Sequence, residues 1–322
     1  MNGQRVVFAN FGHPEDVVTV ETWDVPNPGP GQVLVKMLAA PINPADINYI
    51  EGVYGIKPAL PAVAGLEGCG EVMACGADVT VPALGDKVIF IRDRGTWSSH
   101  VLCAADAVLV VPAAIDPLQA AMLKVNPLTA LRMLEENGNL ASGTWVAQNA
   151  ANSSVGQCVV QIARALGLHT INLVRRPELV DELLSLGADC VLLDEPGLVE
   201  KSPAKPVLAF NAVGGDSAVR LMDLLAEKGR LLTYGAMSKQ GVKVPNKFLL
   251  FKGLSLHGFW LTRWLRETSH AEIATAYQRL ADWMLAGQLS MRVAATYPLA
   301  QAAEAARHAQ QDKRGGKILL IP

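Results

Sequence analysis

The pattern of hydrophobic positions changes near residue 116. Before it, short apolar runs such as Val33–Met37, Gly70–Met73 and Asp86–Phe90 are bounded by Gly, Pro and Asp, which is typical of β-strands joined by turns. Prolines are dense between Pro26 and Pro61, and this excludes long helices from the region. The sequence therefore predicts a β-rich N-terminal part.

From Pro117 onward, apolar strands alternate with helices. A helix over Ala120–Glu136 is predicted first, bent or started again at Pro127 and stopped at Gly138. The predicted strands are Thr144–Asn149, Thr170–Val174, Cys190–Leu193, Val207–Val213, Arg230–Tyr234 and Leu254–Phe259, with helices at Val155–Leu166, Pro177–Leu186 and Ala218–Lys228 between them. Such alternation predicts an α/β fold with a mainly parallel, doubly wound sheet.

The last part of the chain is helical at His270–Ala286 and Leu299–Ala309 and ends in a strand, Lys317–Ile321. A single terminal strand needs a sheet to join, so we expect it to return to the N-terminal part. The predicted domains are residues 1–115, an inserted domain at 116–256, and a return to the first domain at 257–322.

Composition narrows the classes of protein that fit. The 322 residues are 50% hydrophobic and 18% charged with a net charge of −2, which favours neither nucleic acid nor a membrane surface as a partner. The N-terminus lacks a basic segment followed by an apolar core, so no secretory signal is expected. The five cysteines are scattered without CxxC spacing, which argues against disulfides and structural zinc. We therefore expect a reducing, cytoplasmic setting.

The segment Thr144–Arg176 predicts a cradle for a dinucleotide. An apolar strand enters the small-residue turn Asn149–Gly156, and the turn opens a helix. Free backbone N–H groups and the helix dipole at such an N-terminus favour a pyrophosphate. The turn is not GxGxxG, and an alternative interpretation is an ordinary helix N-cap.

The next strand ends on Arg175 and Arg176, with no acidic residue before Glu178. NAD enzymes place Asp or Glu there to bind the ribose 2′-hydroxyl, whereas arginine accommodates a 2′-phosphate. A solvated arginine pair is the alternative. Turn, helix, strand and arginines in register favour NADPH, and hence an NADPH-dependent oxidoreductase.

Three N-terminal segments resemble the medium-chain dehydrogenases/reductases: PGPGQVLVK at Pro28–Lys36, GLEGCGEV at Gly65–Val72 and GDKV at Gly85–Val88. The resemblance extends over essentially the whole chain. It implies a Rossmann domain inserted into a β-rich, GroES-like catalytic domain, with the active site in the cleft at the carboxyl ends of the parallel strands.

Zinc-dependent members of that superfamily carry a ligand cysteine early in the chain and a histidine in a GHE segment. Here Leu66 takes the place of the histidine, no cysteine precedes Cys69, and a four-cysteine structural loop is absent. Without these ligands a catalytic zinc site is not expected.

Within the zinc-free branch, four segments resemble the trans-2-enoyl-CoA reductases of mitochondrial fatty acid synthesis. They are Pro41–Gly65, Lys124–Leu134, Gln148–Gln157, and the pair Thr233–Gln240 with His257–Trp264. The resemblance implies that Tyr54, in GVYGIKP, is the catalytic acid. A phenol in a dry cleft can stabilise a developing enolate and then donate a proton. The alternative is a loop tyrosine that packs its ring.

The resemblance also implies contacts with NADPH. Asn126 would contact the nicotinamide ribose or order the site. Phosphate would be cradled by Asn152, Ser153, Ser154 and Val155, and the nicotinamide would be flanked by Tyr234, Gly235, Ala236, Met237, Phe259, Trp260 and Leu261. Lys317 would reach the cofactor from the last strand. Alternatives are a helix cap for Asn126, core packing for Phe259 and Trp260, and a solvated charge for Lys317. Lys124, where the family commonly has glycine, would alter the preference for charged substrates or point outward.

Three functions remain open at this point. The first is reduction of an enoyl thioester of CoA or acyl carrier protein, for which Lys247, Lys252, Arg263 and Arg266 are candidate cations at the pocket rim. The second is reduction of a quinone or small enone. The third is NADPH binding without turnover, as in a sensor or scaffold. Relatives also imply a homodimer joined through the edge strand Leu254–Phe259.

Overall fold

A computed structural model describes residues 1–92, 95–135 and 140–322. The chain folds into two compact units, one formed by Met1–Val125 with Glu267–Pro322 and the other by Asn126–Arg266. These junctions lie about ten residues beyond the boundaries predicted at 115/116 and 256/257. The domain ranges stay a prediction.

Most elements of the N-terminal segment are strands, and three short helices lie among the described residues. Its elements are β1 (Asn2–Phe8), α1 (Pro14–Val17), β2 (Val18–Asp24), β3 (Gln32–Pro41), α2 (Pro44–Ile50), β4 (Ala62–Val63), β5 (Cys69–Cys75), β6 (Lys87–Phe90), β7 (His100–Ala104), β8 (Val108–Val110) and α3 (Pro117–Ala121).

The middle of the chain alternates strands and helices as predicted. Its elements are α4 (Asn126–Glu135), β9 (Trp145–Gln148), α5 (Ser154–Ala165), β10 (His169–Val174), α6 (Val180–Leu186), β11 (Cys190–Leu193), α7 (Leu198–Lys201), β12 (Leu208–Asn211), α8 (Gly215–Leu224), β13 (Arg230–Thr233), α9 (Asn246–Leu250), β14 (Ser255–Gly258) and α10 (Leu261–Glu267). The C-terminal elements are α11 (His270–Leu285), β15 (Val293–Pro298), α12 (Ala302–Gln310) and β16 (Lys317–Ile321).

The helix predicted over Ala120–Glu136 is two helices, α3 and α4. The second helix, α4, begins at Asn126, as the position of Pro127 predicted. Proline is tolerated in the first turn of a helix but not in its interior. The predicted stop at Gly138 falls outside the described residues.

The sheet of residues 126–266 has the order β11-β10-β9-β12-β13-β14, and every pair in it is parallel. Helices cover both faces: Ile171 and Leu173 of β10 pack in one apolar cluster with Leu221 of α8, whereas Val174 packs in another with Leu183 of α6. Alternate side chains of a strand point to opposite faces. The doubly wound Rossmann sheet is therefore confirmed, with β14 at its edge.

The other unit contains a seven-stranded sheet, β15-β16-β3-β5-β6-β8 with β7 paired to β3, and a three-stranded sheet, β2-β1-β4. Strand β16 pairs antiparallel with β3, with Leu320 opposite Ala40. The terminal strand thus returns to the N-terminal part, as predicted. It contributes Ile318 and Leu320 to a buried core with Phe8 and Trp97.

Replacing Leu320 with Ala tests how much that return stabilises the unit. Leu320 is completely buried, so we expect a loss of about 2–5 kcal/mol in the free energy of unfolding. The matched control is Leu84→Ala, at a leucine that is 71% exposed, for which a change within about 0.5 kcal/mol is expected. Urea denaturation followed by tryptophan fluorescence measures both. Equal losses in the two variants would contradict a core role for β16.

Candidate active site

The predicted cradle lies at the N-terminus of α5. Ser153 caps this helix, and its hydroxyl accepts a hydrogen bond from Gly156 N at 3.1 Å. A Cβ added to Gly156 would lie only 2.5 Å from the Ala151 carbonyl oxygen, and Ala150 has a left-handed φ of +48°. The turn is therefore tight, and the first-turn amides of Ser154 and Val155 have no preceding helical carbonyl to bind. This arrangement fits the pyrophosphate of a dinucleotide.

Buried polar side chains hold this helix against the sheet. The Gln148 amide nitrogen donates to Gly156 O at 2.9 Å and to Asn172 Oδ1 at 2.7 Å. Asn172 donates in turn to Thr170 Oγ1 at 2.8 Å. All of these side chains are buried, so the bonds are made away from water and fix the start of α5 over β9 and β10.

Arg175 and Arg176 follow β10 directly. Arg175 is exposed and Arg176 is half-buried, with its Nε atom 3.8 Å from a carboxylate oxygen of Glu178. Strand β10 lies next to β9 in the sheet, so its carboxyl end is beside the turn that leads into α5. The arginines thus lie at the carboxyl ends of the strands, where a 2′-phosphate is expected.

Tyr234–Met237 follow β13 and lie at the same carboxyl ends of the parallel strands. The amide of Tyr234 donates to Asn211 O at 3.0 Å, and that of Met237 donates to Ala212 O at 2.9 Å. The Tyr234 hydroxyl is buried without a hydrogen-bond partner among the described residues. Burial raises the pKa of Tyr234, and Ser153 opposes the rise. Ser153 is therefore close to the phenol, although the two do not have hydrogen-bond geometry.

Phe259, Trp260 and Leu261 follow the edge strand β14. Phe259 is buried and its amide donates to Thr233 O at 2.9 Å, while Trp260 and Leu261 are half-buried. Asn126 opens α4 and is buried. The predicted residues that follow β9, β10, β13 and β14 therefore all lie at the carboxyl ends of the parallel strands. Their contacts with a cofactor stay a prediction.

Tyr54 and Lys317 belong to the other unit. Tyr54 lies in the loop after α2, half-buried, and its ring packs against the apolar core of that unit. The amides of Val53 and Tyr54 both donate to the Asn48 carbonyl oxygen, at 2.9 and 3.0 Å. Gly52 makes this reversal possible with a φ of +73°. The backbone that carries Tyr54 is therefore tied to the last turn of α2.

A cluster of buried charged and polar groups lies at the start of α2. The backbone N–H of Asn43 donates to Asp46 Oδ2 at 2.8 Å. The side chain of Asn43 donates through Nδ2 to Glu67 Oε1 at 2.6 Å. The Lys317 ammonium donates to Asn43 Oδ1 and lies 3.5 Å from Ile42 O. Lys317 is only 2% exposed. The interpretation of Lys317 as a solvated charge is wrong.

Lys124 extends the same cluster. Its ammonium donates to Leu66 O at 2.7 Å, and the neighbouring Val125 N donates to Glu67 Oε2 at 2.8 Å. Lys124 is buried. It does not point outward, which removes one of the two interpretations of this residue.

The carboxyl groups of this cluster have altered acidity. Burial raises the pKa of Asp46 to about 7, and the negative charge of Glu67 adds to the rise, against the opposing effects of the Asn43 N–H and Lys317. Burial also raises the pKa of Glu67, opposed first by Lys317 and then by the bonds from Asn43 and Val125. Tyr277 of α11 is close to Glu67, and burial together with that carboxylate raises its pKa.

No functional role was predicted for Asn43, Asp46 or Glu67. A signal was present, because Asn43 and Asp46 are polar residues within the largely apolar segment Pro41–Ile50. Buried polar groups need hydrogen-bond partners, so polar residues in such a segment indicate an internal network.

Two of the four cations proposed for a pocket rim are engaged elsewhere. The Lys252 ammonium donates to the carbonyls of Met222, Asp223 and Leu225 at 2.7–2.9 Å and so caps the C-terminus of α8. Lys247 pairs with Asp223 at 3.0 Å. Arg263 and Arg266 are exposed, and their proposed place at the rim of the substrate pocket stays a prediction.

In residues 1–92, 95–135 and 140–322, no three His, Cys, Asp or Glu side chains are grouped so as to hold a metal ion. Within the same ranges, none of the helices is both long and apolar enough to cross a membrane.

Known proteins match the chain along its length. A family model described as the alcohol dehydrogenase GroES-like domain matches residues 29–113, and one described as zinc-binding dehydrogenase matches residues 154–282. The human mitochondrial enoyl-[acyl-carrier-protein] reductase is 43% identical over 307 residues, which cover 92% of this chain and 82% of the relative.

Solved structures have the same fold. The complex of Etr1p with NADP and crotonyl-CoA is 30% identical, covers all of both chains and superposes with a TM-score of 0.89. A Bacillus thuringiensis protein with the provisional name NADPH:quinone reductase is 31% identical, covers 100% of this chain and 99% of its own, and has a TM-score of 0.93.

The expectation of a cytoplasmic setting is wrong, because the human relative and similar reductases from other organisms are mitochondrial enzymes.

Both domains of the medium-chain dehydrogenase/reductase fold are present and in the expected order, and the human relative covers 92% of the chain. With 43% identity to an enoyl reductase over that length, the chain belongs to the enoyl-[acyl-carrier-protein] reductase family of the medium-chain dehydrogenases/reductases.

Proposed function

We propose that the protein reduces the double bond of trans-2-enoyl thioesters with NADPH. The observation that carries the proposal is Tyr54 on a loop tied to α2, in a chain 43% identical to an enoyl-[acyl-carrier-protein] reductase. The Etr1p complex supports the substrate class, since that relative holds NADP together with crotonyl-CoA. CoA and acyl carrier protein both present the acyl group as a thioester, so either is a suitable carrier.

NADPH is the proposed cofactor because the residues fit its phosphates. The first turn of α5 presents backbone amides above a glycine whose Cβ would fill the turn, and Arg175 and Arg176 follow the neighbouring strand. When bound, NADPH supplies a hydride to the β-carbon of the substrate. The cradle positions the cofactor through its phosphates, and Asn126, Tyr234–Met237, Phe259–Leu261 and Lys317 are proposed to orient the nicotinamide end.

Tyr54 is proposed to act on the thioester side of the reaction. Negative charge develops on the carbonyl oxygen as the β-carbon accepts the hydride, and a phenol O–H can donate a hydrogen bond to that charge. The α-carbon then needs a proton, which the phenol supplies as general acid. The hydrogen bonds at residues 53 and 54 hold the backbone, and the ring packs against the core, so the phenol starts from a defined position, as such a proton transfer requires.

Replacing Tyr54 with Phe removes only the hydroxyl. We expect kcat for trans-2-hexenoyl-CoA to fall by about 10²–10⁴-fold, because a general acid and hydrogen-bond donor is lost, whereas the Kd for NADPH stays within about twofold of wild type. The loss of NADPH absorbance measures turnover, and fluorescence titration measures binding. A small quinone serves as control substrate. Turnover of the quinone alone, unaffected by the substitution, would contradict the proposal.

That last outcome defines the second candidate, an NADPH:quinone reductase. The observation that favours it is the likeness to the Bacillus thuringiensis protein of that provisional name. The third possibility, NADPH binding without turnover, predicts cofactor binding in wild type and no loss of absorbance with either substrate.

The double substitution Arg175→Ala with Arg176→Ala tests the choice of NADPH. Each charge-assisted bond to the 2′-phosphate contributes about 1.5–3 kcal/mol, so we expect the Kd for NADPH to rise at least about tenfold. The Kd for NADH, which lacks that phosphate, should change by less than about threefold. Arg307→Ala, at an exposed arginine of α12, is the control. An equal loss for both cofactors would argue against a 2′-phosphate site.

We also propose that the protein forms a homodimer through the edge of its Rossmann sheet. Strand β14 ends the sheet, and the adjoining Leu250 and Phe251 are 72% and 81% exposed. Exposed edge strands and apolar patches favour pairing with a second chain. The related Etr1p assembles with Etr2p as a heterodimer.

Phe251→Glu tests this assembly. A charge in an apolar interface should dissociate the dimer, so light scattering should give half the wild-type mass, near the 34.3 kDa of one chain. Val81→Glu, at another exposed apolar position, should leave the mass unchanged. A wild-type protein that is already monomeric would refute the proposal.

A further inference from the structure

We propose that Glu67 is a positioning residue of the reductase site, with one carboxylate oxygen holding the helix that leads to Tyr54 and the other holding the backbone that leads to Asn126. This inference rests on the proposed function and adds to it a residue that contacts neither substrate nor cofactor. Glu67 is completely buried, and both of its carboxylate oxygens accept a hydrogen bond.

The first oxygen acts through Asn43. Glu67 Oε1 accepts from Asn43 Nδ2 at 2.6 Å, and Asn43 immediately precedes α2. The last turn of α2 carries Asn48, whose carbonyl oxygen holds the amides of Val53 and Tyr54. A displacement of Asn43 is therefore passed along one short helix to the loop that bears the phenol.

The second oxygen acts on the residue before Asn126. Glu67 Oε2 accepts from Val125 N at 2.8 Å. The Glu67 backbone is itself fixed, because its carbonyl oxygen accepts from Thr96 Oγ1 at 2.6 Å. The carboxylate therefore joins the start of α2 to the segment that ends at Val125.

A carboxylate suits this place better than an amide does. Both partners, Asn43 Nδ2 and Val125 N, are donors, and an ionised carboxylate is acceptor-only. Glutamine would offer one oxygen and one NH₂ group, so one of the two partners would face a donor. Removal of the charge also takes away the buried carboxylate that interacts favourably with the ammonium groups of Lys317 and Lys124.

The test separates positioning from charge balance. In Glu67→Gln we expect kcat for trans-2-hexenoyl-CoA to fall about tenfold to a hundredfold with KM within about twofold, because misplacement of a catalytic group acts on the chemical step. Its Tm should fall as well. The double variant Glu67→Gln with Lys124→Met removes one buried ammonium together with the carboxylate charge, so Tm should recover while kcat stays low.

Hydrogen exchange gives a readout that does not depend on activity. The amides of Val53 and Tyr54 should exchange about tenfold faster in both variants, since the helix that anchors them is loosened. Leu299→Ala is the matched control, because Leu299 is buried in the core against which Tyr54 packs and is not among the hydrogen-bonded residues of the cluster. It should lower Tm without a selective effect on these two amides.

Recovery of kcat together with Tm in the double variant would overturn the proposal, and so would unchanged exchange at Val53 and Tyr54. Faster exchange with unchanged kcat is a different result. It would support Glu67 as the anchor of the loop and refute the catalytic role of Tyr54, which belongs to the proposed function.

Discussion

The burial of four ionisable side chains around the start of α2 constrains the unit that carries Tyr54. Asp46, Glu67, Lys124 and Lys317 are all buried, and taking such groups out of water is costly unless each is paired and hydrogen-bonded. The four come from separate parts of the sequence, and Asn43 bonds to three of them. The sheet that brings β16 beside β3 therefore has to form before Lys317 can reach its partners.

The cradle in the other unit depends on a different constraint, the close approach of backbone to backbone. Gly156 lies against Ala151 with no room for a side chain, and Gln148 and Asn172 hold the helix above the sheet. An anion site of this kind needs no charged side chain at the turn itself, since the helix terminus provides the donors. The charges are instead placed one strand away, at Arg175 and Arg176.

The sequence predicted the fold well where local pattern and tertiary packing agree. The strands β11 and β16 have the predicted bounds, and the interruption near Pro127 separates α3 from α4, because proline acts locally on the backbone. The cradle and its arginines could also be predicted, since strand, turn and helix are contiguous. Asn43 and Glu67 are 24 residues apart, and their bond depends on the register of strands that no local pattern specifies. The bond between Lys317 and Asn43, which are 274 residues apart, could not be predicted from a local pattern either.

The left-handed backbone of Ala150, at the entry to the cradle, limits how this turn can evolve. Residues with a branched Cβ are strongly disfavoured at such a φ, whereas glycine adopts it without penalty and asparagine at modest cost. Neutral drift at position 150 is therefore confined to a few small residues, while the exposed Asn152 is free of that restriction. Because Ala150 already has a φ that glycine adopts without penalty, alanine and glycine can replace each other here without a change in the backbone of the turn. A turn with glycine at position 150 and one with alanine there then differ by one tolerated substitution.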